Sequence, residues 1–365
     1  GVSNSTLETN VGPTYQQFRH EPLIPEADAE VTVTVEAEDP DGVSSMTLFW
    51  RTASDGEFTS VPMIQQGSHY IATVPGHEAA TVVQFYVEGL DSLGATSTFP
   101  AAGAESRALY IVNDGEASTG SLRNFRFIMF EDEIRNFFSQ TNMGSNRPVG
   151  ATALDNEIEV FYDVGAKLRG SPIGRTSGSR QNSYNISFHA EQPFRGVHDS
   201  IILDTSAASG ILGEGTADEV LATHMMNHLG IHVSMYHDLV YMIVPKEFNN
   251  IRNGRAILGL ARYGNDFLEE QFGEHSNGTV HDFNKTNALS ATHDGTREGF
   301  KLNSGLSYQN QDIADLGDDK EKYRWNLQPT NQRAKDDFSG LIAMAKAFSL
   351  QGSELDVATA ETMDM

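Results

Sequence analysis

The chain has 365 residues, 39% hydrophobic and 9% aromatic, which excludes a disordered polymer and leaves room for two or three packed domains. Its 50 acidic and 25 basic residues give a formal charge of −25, a field that repels nucleic acid and anionic membranes. No cysteine is present, so disulfides, zinc–thiolate sites and thiol catalysis are excluded together, and no apolar run approaches the roughly 20 residues that span a bilayer.

Residues 1–20 are polar and unpatterned and read as a tail or linker. No signal peptide is evident and the chain opens on Gly1, which points to a processed or excised piece of something longer. Residues 21–113 read as all-β. Val31, Val33 and Val35 alternate with Thr32, Thr34 and Glu36, and Asp39-Pro-Asp-Gly42 makes a turn. Met46, Leu48 and Trp50 alternate again before a turn at Asp55-Gly56. Further strands are predicted at His69 to Val74, Thr81 to Glu88 and Ala108 to Val112. Short alternating strands with regular turn signals predict an immunoglobulin or fibronectin type III β-sandwich, with Trp50 in its core. Asp39 and Asp41 have side chains that suit calcium, although a plain turn explains them as well.

Residues 114–122 are a linker by composition. Residues 123–365 read as α+β. Phe125 to Phe130 predicts a strand, and Glu131 to Ser139 a helix whose first residues are acidic. A basic loop follows between two strand-like runs: Lys167, Arg169, Arg175 and Arg180 stand among Gly and Ser residues, after β-formers at Glu157 to Val164 and before the alternating Tyr184, Ile186 and Phe188. A hairpin tip with four cations and free backbone N–H groups suits phosphate, and a solvated tip is the plainer alternative. Thr216-Ala-Asp-Glu219 is a capping box that opens a helix through about Leu229. Strands are predicted at Leu239 to Val244 and Ala256 to Tyr263, and helices at Asp266 to Phe272 and Asp336 to Ser349.

Two clusters suggest metal chemistry. His224 and His228 lie four apart on the capped helix, with His232, His237 and Asp238 beyond. Met225 stands where a metalloprotease needs glutamate, so histidines at the margin of a packed helix are the plainer reading. Asp312, Asp315, Asp318 and Asp319 crowd one loop without EF-hand spacing, beside Lys320, Lys322 and Arg324. No metal-ligating set and no catalytic residue is assigned from these patterns.

The order Asp163 to Ser171, then Ser179-Arg180, then Tyr184-Asn-Ile-Ser-Phe188 resembles the spore-coat protein H (CotH) kinase family. Leu221-Ala-Thr-His-Met225 with Gly230-Ile231, the Leu258 to Leu268 unit and Asp337-Phe-Ser-Gly-Leu341 follow in the same order. The resemblance covers roughly two thirds of the chain, and the sandwich before it is similar to immunoglobulin-like modules attached to exported members. It implies an atypical kinase-like fold that binds ATP with Mg²⁺ or Mn²⁺ and phosphorylates extracellular or coat proteins. It would place Arg169, Gly170, Ser171, Arg175, Ser179 and Arg180 against the nucleotide phosphates. Gln181-Asn182 replaces the family's lysine pair, and the metal-binding aspartates are expected beyond Met365, which argues against catalysis by this chain alone. The alternative is a secreted or cell-surface bacterial component with a structural or adhesive role, open to homo-assembly, with no transmembrane segment and no nucleic-acid partner.

Overall fold

The computed structural model describes residues 10–362 except 140–141, 143–144, 146, 170–181, 205–214, 231–236, 245–255, 262, 274–275, 284–289, 292–299, 302–312 and 325–326. The chain is a β-rich multidomain protein with few helices. Nine strands form the first unit: β1 (Thr14–Glu21), β2 (Val31–Glu38), β3 (Val43–Arg51), β4 (Thr59–Pro62), β5 (Ile64–Gln66), β6 (His69–Val74), β7 (Val82–Asp91), β8 (Thr96–Phe99) and β9 (Leu109–Ile111). One sheet has the order β1-β2-β6-β5, and the other has β4-β3-β7-β8 with β9 also on β7. Alternate side chains of both sheets share one core, in which Val31, Val33 and Val35 meet Leu48, Val83, Phe85 and Val87. Trp50, expected in that core, packs at its margin against His77 with 5.1 Å between ring centroids.

The predicted tail contains a strand. β1 pairs antiparallel with β2, and Phe18 packs on Phe85 and Phe99 at 5.2 and 5.3 Å. Its alternation is hidden because a bulge between Gln16 and Arg19, with Gln17 at φ 52°, interrupts the two-residue period. The predicted linker is also held. Asp114 makes a two-pronged ion pair with buried Arg126, at 2.7 and 3.1 Å, and Ser118 and Asn124 exchange hydrogen bonds. Glu157 accepts from the Nε of the Arg126 guanidinium at 3.0 Å, so the buried cation has carboxylate partners on two sides.

The second unit contains seven strands: β10 (Arg123–Ile128), β11 (Val149–Asp155), β12 (Glu159–Arg169), β13 (Ser183–Ser187), β14 (Ser200–Asp204), β15 (His237–Ile243) and β16 (Ala256–Ala261). They close into a barrel, and the parallel pairing of β10 with β15 makes the seam. Phe125, Phe127, Phe161, Tyr184, Ile186, Leu203 and Met242 fill its interior. Helix α1 (Glu131–Phe137) packs Phe137 onto that core, α2 (Gly215–His228) lies against β15 and β16, and α3 (Asn265–Phe272) buries Phe267 and Leu268 beside Val280. Strands β17 (His281–Phe283), β18 (Ser290–Ala291), β19 (Phe300–Lys301) and β20 (Leu327–Pro329) form two short ladders, β17 with β20 and β18 with β19. The helices α4 (Glu321–Arg324), α5 (Ser339–Phe348) and α6 (Ser353–Thr362) lie around a small core of Tyr323, Phe338, Leu341 and Ala345.

A bulge on β12 joins the two units. Phe161 opposes Ala153 and Val164 opposes Ala151, so Tyr162 and Asp163 share the place opposite Thr152. Asp163 takes φ 54°, a conformation that aspartate tolerates better than most residues. Tyr162 thereby joins the sandwich core, 5.4 Å from Phe18 and 5.7 Å from Phe85 between ring centroids. The Asp163 carboxylate accepts the Arg107 backbone N–H, and the Thr152 hydroxyl accepts Leu109 N–H at 2.8 Å while donating to the Arg107 carbonyl. Arg107 in turn pairs with Glu133 of α1 at 2.7 Å. Leu109, Ile128, Phe130 and Leu154 bury one apolar cluster across the junction.

His20 seals this junction. Its Nδ1 lies 2.6 Å from the Tyr162 hydroxyl and its Nε2 3.1 Å from the Leu23 carbonyl. A neutral ring satisfies both, donating from Nε2 and accepting at Nδ1. Burial outweighs the Leu23 carbonyl and pushes the imidazole down from 6.5 to about 4. The unfolded chain therefore binds the proton more readily, and stability falls as pH drops from 6.5 to about 4. At about 1.4 kcal/mol for each pH unit, the loss reaches about 3 kcal/mol. Thermal melts between pH 7 and 4 should fall more steeply for the natural chain than for His20→Gln; parallel curves would contradict the assignment.

Candidate functional site

The antiparallel register of β12 and β13, with Lys167 opposite Asn185 and Arg169 opposite Ser183, builds the hairpin that the alternation predicts. Of the residues expected to face phosphate, Gly170, Ser171, Arg175, Ser179 and Arg180 lie outside the described residues. Arg169 ends β12 and reaches across to β14. Its guanidinium donates to Asp204 of β14 at 2.8 Å, and the Ser183 hydroxyl donates to the same carboxylate at 3.0 Å. Asp204 is the partner that sequence reading missed, because its place beside Arg169 follows from the pairing of β13 with β14. The only local signal is an acid that ends an apolar strand, Ser200 to Asp204.

The acidic loop resolves into ion pairs and turn contacts. Asp336 binds Lys320 and Arg324, each at 2.6 Å, and Lys346 binds Asp318. Asp315 accepts Gly317 N–H at 2.8 Å and Asp319 accepts Glu321 N–H at 3.1 Å, while Asp312 lies outside the described residues. Asp337 accepts both the backbone and the hydroxyl of Ser339 at the start of α5. The adjacent cations do not neutralise the cluster itself: Lys320 and Arg324 turn to Asp336, Lys322 donates to the Leu316 carbonyl, and Lys346 from α5 pairs with Asp318.

The histidine pair sits on α2 with 6.3 Å between ring centroids, both rings exposed. The expectation of a packed helix fails for the side chains described there. Leu221, Met225 and Leu229 are exposed, and the buried residue is Thr223, whose hydroxyl bonds back to the carbonyls of Glu219 and Val220. His232 lies outside the described residues, His237 lies 3.8 Å from Glu219, and Asp238 pairs with Arg195 at 3.1 Å. Among the described residues these histidines and Asp238 are not gathered into one set.

No family model and no curated protein matches the chain. Solved structures are similar to parts of it. A bromine derivative of BhCBM56 is 13% identical over 25% of this chain and 88% of that one, with a TM-score of 0.18. The fn3 domain of human collagen alpha-1(XX) chain is 20% identical over 32% of this chain and 99% of that one, with a TM-score of 0.21. A cycloalternan-forming enzyme from Listeria monocytogenes is 9% identical over 52% of this chain but only 17% of its own length, with a TM-score of 0.21.

The Asp336 network supplies a direct test of the acidic loop. Arg324, then Lys320, hold the Asp336 carboxyl well below the usual carboxylate range, so its contribution is present above that range and is lost as pH falls through it. Asp336→Asn should lower the melting temperature at neutral pH and low salt, with the difference shrinking towards zero in about 1 M NaCl. A difference independent of salt would show that these pairs do not account for the loop's acidity.

Proposed function

We propose that this chain is a non-catalytic structural or adhesive component, exported to a bacterial surface or its surroundings. It would comprise an immunoglobulin or fibronectin III-like module followed by a CotH-like lobe. The single observation that carries this reading is the Arg169–Asp204 ion pair: a cation of the basic loop is neutralised by β14, two strands away in the barrel. The pairing of Asp318 and Asp336 with Lys346, Lys320 and Arg324 adds support, since a nucleotide-bound metal needs unoccupied carboxylates. Among the described residues of the second unit, no three acidic or histidine side chains converge on a common ion position. The described residues of the second unit thus lend no support to a site for ATP with Mg²⁺ or Mn²⁺, and no phosphoryl-transfer step is derived through them.

A bonded junction between two β units suits a component that carries load or spaces partners, because its two ends keep a fixed relation. Its partners would be extracellular or coat proteins, or further copies of itself. Its acidity would hold such copies apart unless cations or basic partners bridge them.

Calorimetric titration of the 365-residue chain with ATP and Mg²⁺ or Mn²⁺ should give millimolar or weaker affinity, and labelled ATP with generic acceptors should give no transfer above a boiled control. An exposed ion pair contributes only about 0–1 kcal/mol, so Arg169→Ala should leave the fold intact. Micromolar ATP binding and phosphotransfer that disappear in Arg169→Ala would establish the kinase reading instead.

A further inference from the structure

The first unit carries an unexplained buried charge. Asp91 ends β7 and is 1% exposed. Its Oδ1 accepts the N–H groups of Leu93 and Ala95 at 2.9 and 2.8 Å, which shapes the β7–β8 turn. Its Oδ2 is buried and has no hydrogen-bond partner. The Asn10 side chain interacts with this carboxylate without giving Oδ2 a bond of normal geometry. A carboxylate oxygen taken out of water with no donor is unfavourable, so the fold holds it there at a cost that a bound cation would remove.

The β2–β3 turn comes to the same place. Carboxylate oxygens of Asp39, Asp41 and Asp91 lie within 4.8 Å of one another. None of the three is in an ion pair among the described residues. Local geometry explains part of this arrangement: Asp39 Oδ1 accepts Asp41 N–H at 2.8 Å, and Gly42 closes the turn at φ 88°. It does not explain why a third carboxylate, buried and facing no lysine or arginine, is brought beside two more in a chain of charge −25. Ser92 fixes the approach, because its N–H and hydroxyl both donate to the Gly42 carbonyl, at 2.9 and 3.1 Å. Asp41 is exposed and Asp39 half-buried, which gives an ion a path from solvent.

We propose that Asp39, Asp41 and Asp91 bind one calcium ion that clamps the β2–β3 turn to the β7–β8 turn. The donors are all oxygens, supplied by loops and a strand end rather than by a rigid cage. Calcium accepts six to eight such ligands in flexible geometry, whereas magnesium demands a regular octahedron and gives up water reluctantly. Water would complete the shell. The site is independent of the function proposed above, since all its residues belong to the first unit.

Calorimetric titration of the chelator-treated 365-residue chain with CaCl₂ should give one site, and calcium should raise the melting temperature. Asp91→Asn should weaken binding at least tenfold. If that buried variant loses its fold, the exposed Asp41→Ser, with its circular dichroism spectrum unchanged, should weaken binding by a similar factor. Asp318→Asn, in the acidic loop, should leave the titration unaltered. Absence of calcium binding in the natural chain, unchanged affinity in Asp41→Ser, or equal affinity for MgCl₂ would each overturn the assignment.

Discussion

The architecture turns on one irregularity, the extra residue in β12. Without a bulge, Tyr162 and Asp163 would continue the inward–outward alternation of the barrel wall. With it, both side chains leave the wall on the side of the sandwich, one supplying an aromatic ring to its core and the other a carboxylate to its backbone. The left-handed conformation at Asp163 is unfavourable for most side chains, and the Arg107 N–H bonded to its carboxylate offsets that cost. Thr152, opposite the bulge, completes the pairing of β9 with the barrel through its hydroxyl. Two β units that would otherwise be strung on a linker become one bonded body.

This constraint bears on function through stiffness. The connector between the units is anchored by Asp114 on Arg126, and the apolar cluster of Leu109, Ile128, Phe130 and Leu154 removes water from the junction. The structural or adhesive role proposed above would draw on that dry, hydrogen-bonded junction. Asp114, Asp204, Asp318 and Asp336 each hold a cation, whereas Asp39, Asp41 and Asp91 lie together with no ion pair among the described residues.

Much of the secondary structure was legible because it follows local alternation. The valines of β2 and the Met46–Leu48 pattern of β3 expose a two-residue period and bury one face, and β13 carries the same period although both its faces are buried. β1 escaped because its bulge at Gln17 breaks that period and its outward residues are polar. Closure of the barrel escaped because β10 and β15 pair in parallel across more than a hundred intervening positions, and nothing local encodes the partner. At the candidate sites the residue types were legible and their partners were not. Arg169 stood out by charge, yet its role depends on Asp204, two strands further on. Asp39 and Asp41 stood out as a turn, while Asp91 joins them only through the pairing of β3 with β7. The kinase resemblance rests on loop residues whose greater part lies outside those described.

The most direct test is differential scanning calorimetry of the full chain with and without the Tyr162→Ala substitution. Removing a buried aromatic side chain costs about 3 kcal/mol or more where the surroundings cannot collapse. If the bulge binds the units into one body, the natural chain should unfold its sandwich and barrel in a single transition, and the substitution should lower that transition or split it in two. Two separate transitions in the natural chain, with only one of them moved by Tyr162→Ala, would show that the units are independent and contradict the rigid-body account.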